Sequence, residues 1–118
     1  MHFYKALYVS DSLKKKQRQL KWNLKCGKIL PEIYVIAFTN TSDLLEIYQS
    51  MQLKQSFYKK NPPYIIGIAD GYSNAVELVQ KILQDAMAEV SIAELNRSSL
   101  EEFLVRRAVN RTKNPQMV

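Results

Sequence analysis

Histidine, cysteine and glycine are scarce in this chain, whose 118 residues contain one histidine, one cysteine and three glycines. His2 stands near the start of the chain, where a side chain is seldom held in the fixed geometry that acid–base catalysis needs. One histidine and one cysteine do not supply the three or four ligands of a usual zinc site. Neither glycine-rich phosphate motif, G-x-G-x-x-G or G-x-x-x-x-G-K-[ST], occurs in the sequence. We therefore predict no catalytic residue, no bound metal and no cofactor, and an enzyme is the less favoured class of protein.

Long apolar runs are also missing, and this bears on where the protein works. No stretch approaches the roughly 20 apolar residues that span a bilayer. The N-terminus lacks the charged region, apolar stretch and small-residue cleavage site of a signal peptide. Cys26 has no second cysteine with which to form a disulfide within the chain, and a reduced thiol is typical of cytoplasmic proteins. We therefore predict a cytoplasmic protein without a membrane partner.

Three short apolar runs, at residues 3–9, 33–38 and 64–69, recur about 30 residues apart. Each run ends in polar, turn-forming residues and is followed by a stretch with the pattern of a helix. Strand, crossover helix and strand in this order are typical of a parallel α/β sheet. We predict one small α/β domain over residues 1–110, in which helices cover a mostly parallel sheet of three to four strands. Residues 111–118 are predicted to form a flexible polar tail.

Helix signals lie between and after these runs. A pair of residues resembling a capping box, Asp43 and Glu46, predicts the start of a second helix, and the prolines after Asn61 end it. Four helices follow from such signals, at residues 12–26, at residues 43–60, from Ser73 onward, and from Ser98 and Ser99 onward.

The segment 88–95 supports two interpretations. Its polar and apolar residues alternate as in a strand, whereas Ser91 followed by Glu94 resembles the capping box of a helix. We favour a short fourth strand, because a strand here continues the βα rhythm of the chain.

The first 28 residues carry almost all of the excess charge. They contain eight Lys or Arg and one acid, Asp11, which gives +7, against +6 for the whole chain. On the first predicted helix the basic residues fall within about 80° of arc, beside an apolar face of leucines and with one tryptophan nearby. These candidate site residues are Lys14, Arg18, Lys21, Trp22 and Lys25. The pattern favours a non-enzymatic binding or adaptor module whose first helix contacts an anionic partner, either nucleic acid or an acidic protein surface. A solvated helix whose lysine stems cover apolar surface is the other interpretation.

A second candidate site lies where the predicted strands end. Parallel strands place their carboxyl ends at one edge of a sheet, where α/β proteins bind ligands. The polar and aromatic residues expected at this edge are Ser10, Asp11, Thr39, Asp43, Asp70 and Tyr72. They suggest a small-ligand or anion-binding protein, or an enzyme, although helix caps and turns explain the same residues individually.

Aromatic residues in the second predicted helix support a third hypothesis, which is self-association. Tyr48, Phe57 and Tyr58 make this segment unusually aromatic, and aromatic surface is favoured at interfaces. We expect two of the three rings to belong to the core, so the sequence alone does not establish a homo-oligomer.

Overall fold

The structure is a computed structural model that describes residues 2–28, 30–38 and 44–113. Its described part is a small α/β fold, in which four strands form one sheet in the spatial order β1-β4-β2-β3. The strands are His2–Val9 for β1, Ile33–Phe38 for β2, Glu46–Gln49 for β3 and Tyr64–Asp70 for β4. The α/β class and the three strands predicted from apolar runs are therefore confirmed, whereas β3 lies in a segment predicted as helix.

The sheet is mixed, so the prediction of a mostly parallel sheet is wrong. Among the strands that the structure describes, β1 and β4 run parallel, whereas β2 is antiparallel to both of its neighbours. Residues 39–45 separate β2 from β3, and this connection is shorter than the dozen or so residues that a parallel crossover needs. The chain therefore returns antiparallel. Because β2 also runs antiparallel to β4, Phe38 at the end of β2 pairs with Tyr64 at the start of β4.

Four α-helices lie in the described residues: Gln17–Lys25 (α1), Ser56–Lys60 (α2), Tyr72–Met87 (α3) and Arg97–Lys113 (α4). A 3-10 turn over Asp11–Lys16 leads into α1, so the predicted first helix is confirmed as two helical pieces. The third and last predicted helices are confirmed as α3 and α4. Asn96 and Ser99 cap the start of α4, because each side chain accepts a hydrogen bond of 2.9 Å from the backbone N–H of the other.

The predicted second helix is wrong over most of its length. The chain forms strand β3, then a 3-10 turn over Ser50–Lys54, and only then the five-residue helix α2. Ile47 packs against the core on one face of the sheet and Tyr48 against the core on the other. This alternation between consecutive residues is the period of a strand, and it outweighs the local capping signal at residues 43 and 46.

The predicted strand at residues 88–95 is also wrong. A 3-10 turn over Ile92–Glu94 occupies this segment, and the side chain of Ile92 is 76% exposed. The alternating apolar residues Val90 and Ile92 therefore do not form a buried strand face against the sheet. The segment connects α3 to α4 without adding a strand.

The helices cover both faces of the sheet. Beneath α1, Leu13, Leu20 and Leu24 pack in one core cluster with Val35, Ile65 and Ile68. On the opposite face, Ile82 of α3 and Leu100, Phe103 and Leu104 of α4 pack with Ile36 and Ile66. Because β4 is central and covered on both sides, its sequence is almost continuously apolar. The leucine face of α1 is thus buried, and its charged face is directed away from the sheet.

On the face of the sheet that α3 and α4 cover, a cluster of polar side chains connects β1 to these two helices. The Tyr8 hydroxyl donates a hydrogen bond of 2.9 Å to Asp85 Oδ2, and Lys81 Nζ lies 3.1 Å from Asp85 Oδ1. The Arg107 guanidinium lies 3.8 Å from the centroid of the Tyr8 ring and donates to the backbone carbonyl of Ala6. Burial raises the pKa of the Tyr8 hydroxyl above its ordinary value, and Arg107 opposes part of this shift. These contacts hold the irregular part of β1 against α4.

Candidate functional site

The α1 surface consists of the candidate residues Arg18, Lys21, Trp22 and Lys25, which the structure places on one nine-residue helix. Leu20 and Leu24 are buried beneath them, so the helix is fixed by its apolar side and presents its basic side outward. Trp22 is 66% exposed, although tryptophan usually buries most of its area in a folded protein. The structure therefore brings together four of the five residues that the sequence assigns to this site.

Phe3 on β1 organises two of these cations, and sequence reasoning missed it. Lys21 Nζ lies 5.9 Å and Lys25 Nζ 5.6 Å from the centroid of the Phe3 ring. These distances are typical of cation–π contacts, in which the face of an aromatic ring attracts an ammonium group. Phe3 is part of an apolar run, so no local signal in the sequence distinguishes it from a core residue. Its half-buried ring places both ammonium groups at the same end of the surface.

Lys14, the fifth candidate, differs from the others because an acid neutralises it. It lies on the 3-10 turn before α1, and its Nζ is 2.9 Å from Asp11 Oδ1. The hydrogen bond from Lys14 lowers the pKa of the Asp11 carboxyl. Among the residues that the structure describes, Arg18, Lys21 and Lys25 form no ion pair. Their charges are thus available to an external anion, whereas that of Lys14 is largely offset.

The second candidate site is assembled in part at the ends of β1 and β4. Ser10 Oγ accepts a hydrogen bond of 3.2 Å from the Asp70 backbone N–H, and the Asp70 carbonyl accepts one of 2.6 Å from Asn74. Ser10, Asp11 and Ser12 line a cavity of about 370 Å³ with Asn74, Glu77 and two apolar residues. Neither Asp70 nor Tyr72 lines this cavity. Of the residues expected at this edge, Ser10 and Asp11 therefore line the polar concavity, together with residues that were not expected there.

The remaining candidates of that site are not gathered there. Tyr72 is 59% exposed, and its ring packs edge-on against Tyr34 with the centroids 5.7 Å apart. Thr39 and Asp43 lie outside the described residues. Because β2 is antiparallel to β4, its final residue, Phe38, reaches the edge opposite Asp70. This removes the reason for expecting those two residues beside Asp70. In the described part of the chain no group of three or more His, Cys, Asp or Glu has the arrangement of a metal site.

The aromatic segment of the third hypothesis contributes to a groove at that opposite edge. Two cavities of about 370 and 330 Å³ share Phe38, Tyr64 and Arg97 as lining residues. Tyr48 is buried and Tyr58 is half-buried in the adjoining core, whereas Phe57 is 61% exposed. The expected division of two core rings and one surface ring is thus what the structure shows.

Comparison with protein-family models, with curated proteins and with solved structures finds no match to this chain. Over the described residues no helix has both the length and the apolar character needed to cross a membrane.

Proposed function

We propose that this protein is a non-enzymatic binding or adaptor module and that the α1 surface binds an anionic partner. The observation that carries the proposal is the exposed Trp22 beside Arg18, Lys21 and Lys25, which have no acidic partner among the described residues. A helix that is fixed by buried leucines presents these charges in a constant arrangement, so little ordering is needed when a partner binds.

The charge distribution supports the same proposal. The first 28 residues carry +7, and their sole acid is already engaged with Lys14. Concentrated charge of one sign attracts a polyanion and increases the rate of encounter. Nucleic acid and an acidic protein surface both satisfy this requirement.

Salt dependence tests the proposal, because a polyanion that binds lysine and arginine releases its condensed counterions. We would titrate the protein into a fluorescently labelled single-stranded oligonucleotide and, separately, into a labelled polyglutamate peptide. For three charge contacts with a single strand, made by Arg18, Lys21 and Lys25, affinity should fall about 20-fold between about 50 and 200 mM salt. Binding that does not respond to salt, or no binding to either polyanion, contradicts the proposal.

A matched pair of variants separates the α1 surface from net charge alone. The first is the double variant Lys21→Glu with Lys25→Glu, and the control is Lys59→Glu with Lys60→Glu. The control lysines are exposed on α2 and give the same change in net charge. We expect the α1 variant to lose nearly all salt-sensitive binding and the α2 variant to retain most of it. Equal losses would mean that the protein attracts polyanions without a defined site.

The cavity that contains Ser10 favours a second function, which is binding of a small polar ligand. Asp11, which is paired with Lys14, and Glu77 both line the cavity, and the Glu77 carboxylate, which forms no ion pair with a described residue, would repel an anion and favour a neutral or cationic ligand. No side chain in the cavity is arranged for a chemical step, and this ranks the function second. Self-association and a cytoplasmic location remain predictions from the sequence.

A further inference from the structure

We infer that the partner of the α1 surface is a single-stranded nucleic acid, with a base stacked on Trp22 and phosphates held by Arg18, Lys21 and Lys25. This inference rests on the proposed function and specifies its partner. It depends on the surroundings of Trp22, on the placement of the cations and on the shape of the surface.

The surroundings of Trp22 are those of a stacking platform rather than of a protein interface. Within one helical turn of it, the residues on the exposed side of α1 are polar or charged, apart from the exposed thiol of Cys26. These neighbours are Arg18, Gln19, Lys21, Asn23 and Lys25. A tryptophan that anchors a protein–protein interface normally stands in an apolar centre that excludes water. On the exposed side of α1, as far as the structure describes it, Trp22 has no such apolar neighbours, which disfavours an acidic protein as the partner.

The cations lie where the phosphate backbone of a nucleic acid would pass if one of its bases stacked on Trp22. Arg18 and Lys25 lie four residues before and three residues after Trp22, so they flank it on adjacent turns of the helix. Lys21 and Lys25 both approach the ring of Phe3, which fixes where their ammonium groups lie on the surface. A base on the tryptophan face with phosphates on either side is the combination by which proteins bind single strands without reading sequence.

The shape of the surface favours a single strand over a duplex. Stacking on Trp22 requires the face of a base, and in a duplex the adjacent stacked base pairs cover these faces. A single strand exposes them, and every base offers one. Because α1 is convex and Trp22 projects from it, a flexible strand can bend around the ring. A duplex would contact only the lysines and arginine.

Trp22 is the sole tryptophan of the chain, so intrinsic fluorescence reports directly on this site. We would titrate the full chain with oligothymidylate of about 12 nucleotides, within the range of known single-strand sites. Two matched probes accompany it, an abasic strand with the same number of phosphates and a duplex of the same length. We expect oligothymidylate to quench the fluorescence and to bind about tenfold or more tightly than the abasic strand, which cannot stack.

Two substitutions complete the experiment, with binding measured by anisotropy of the labelled strands because the variants lack tryptophan. Trp22→Leu should weaken oligothymidylate binding by about tenfold and leave abasic binding unchanged, and Trp22→Phe should restore part of the loss. Circular dichroism checks that each variant keeps its helices.

The outcomes distinguish this inference from the proposed function. Equal binding of the abasic and base-containing strands, with no effect of Trp22→Leu, overturns base stacking but leaves an anion-binding surface. Duplex binding as tight as single-strand binding overturns the preference for a single strand. Tight binding of polyglutamate together with weak binding of every oligonucleotide shows that the partner is an acidic protein. No binding of any polyanion removes the proposed function itself.

Discussion

Cations lie against aromatic rings on both faces of the sheet, and the two arrangements differ in how completely the cation is engaged. On the α1 side, Lys21 and Lys25 approach Phe3 at more than 5 Å and make no ion pair with a described residue. On the other side, Arg107 stacks on Tyr8 at 3.8 Å and also donates to the Ala6 carbonyl. A cation–aromatic contact is thus structural where hydrogen bonds satisfy the cation. Where they do not, the cation remains able to bind a partner.

We expect the largest effect on stability from the replacement of Arg107. Arg107→Met keeps much of the apolar length of the side chain but leaves the Ala6 carbonyl without its donor and Tyr8 without its stacked cation. We expect the free energy of unfolding to fall by about 1.5–3 kcal/mol, the range for hydrogen bonds to charged groups. Urea denaturation monitored by circular dichroism measures the change.

Arg106→Met is the matched control for that prediction, because Arg106 is the exposed neighbour. Its guanidinium lies 3.4 Å from Glu89 and 3.9 Å from Glu102. Exposed ion pairs contribute about 1 kcal/mol or less. If the two variants lose the same stability, Arg107 is not the structural cation that the comparison requires.

A smaller effect is expected for Tyr8→Phe, which removes only the hydroxyl that donates to Asp85. Asp85 keeps its contact with Lys81, so we expect a loss of about 1 kcal/mol in the free energy of unfolding at neutral pH. Tyr72→Phe is the control and should change stability little, because Tyr72 is largely exposed. Equal effects of the two substitutions would show that the hydroxyl of Tyr8 contributes no more than a surface group.

The pH dependence of the Tyr8→Phe variant sharpens the same prediction. The pKa of Tyr8 is raised in the folded protein, so above about pH 10 the unfolded chain loses this proton first. The raised pKa therefore contributes to the free energy of unfolding in full below about pH 10. This contribution is lost as the pH rises toward the pKa of Tyr8 in the folded protein. The wild type should thus lose stability more steeply than Tyr8→Phe above pH 10. Parallel curves would contradict the buried environment of the hydroxyl.

The smallest effect is expected on the α1 side. Replacing Lys21 and Lys25 together by Gln removes two exposed cation–π contacts with Phe3, each of about 0.5 kcal/mol. We therefore expect a loss of less than about 1 kcal/mol by thermal or urea unfolding, together with a marked loss of anion binding. A loss as large as that of Arg107→Met would show that these lysines stabilise the fold rather than serve a partner.

The sequence predicts the parts of the structure that local patterns determine. Residues 33–38 read as a strand because both faces are apolar, and the leucines of α1 mark its buried side. The direction of β2 does not follow from the same pattern, because alternating strand and helix signals do not reveal that β4 lies between β1 and β2. Nor does the pattern reveal β3, since this strand has only four residues and its alternation is too short to recognise.

The candidate α1 surface could be predicted for a similar reason. Residues three and four apart on one helix are neighbours whatever the tertiary structure, so the cluster of Arg18, Lys21, Trp22 and Lys25 follows from spacing alone. The contact with Phe3 depends on how α1 packs on β1, which no local signal encodes. The predicted edge site depended on parallel strands. The parallel strands β1 and β4 do bring Ser10 and Asp70 together, whereas the antiparallel β2 removes the basis for expecting Thr39 and Asp43 beside them.

The most direct test of the α1 surface is a map of amide chemical-shift changes in isotope-labelled protein during titration with single-stranded oligonucleotide. We expect the changes to concentrate over Gln17–Lys25 and around Phe3, with the amides of Tyr8, Asp85 and Arg107 unmoved. Changes centred instead on the groove of Phe38, Tyr64 and Arg97, or on the cavity at Ser10, would contradict binding at the α1 surface. So would a spectrum that does not change at low salt.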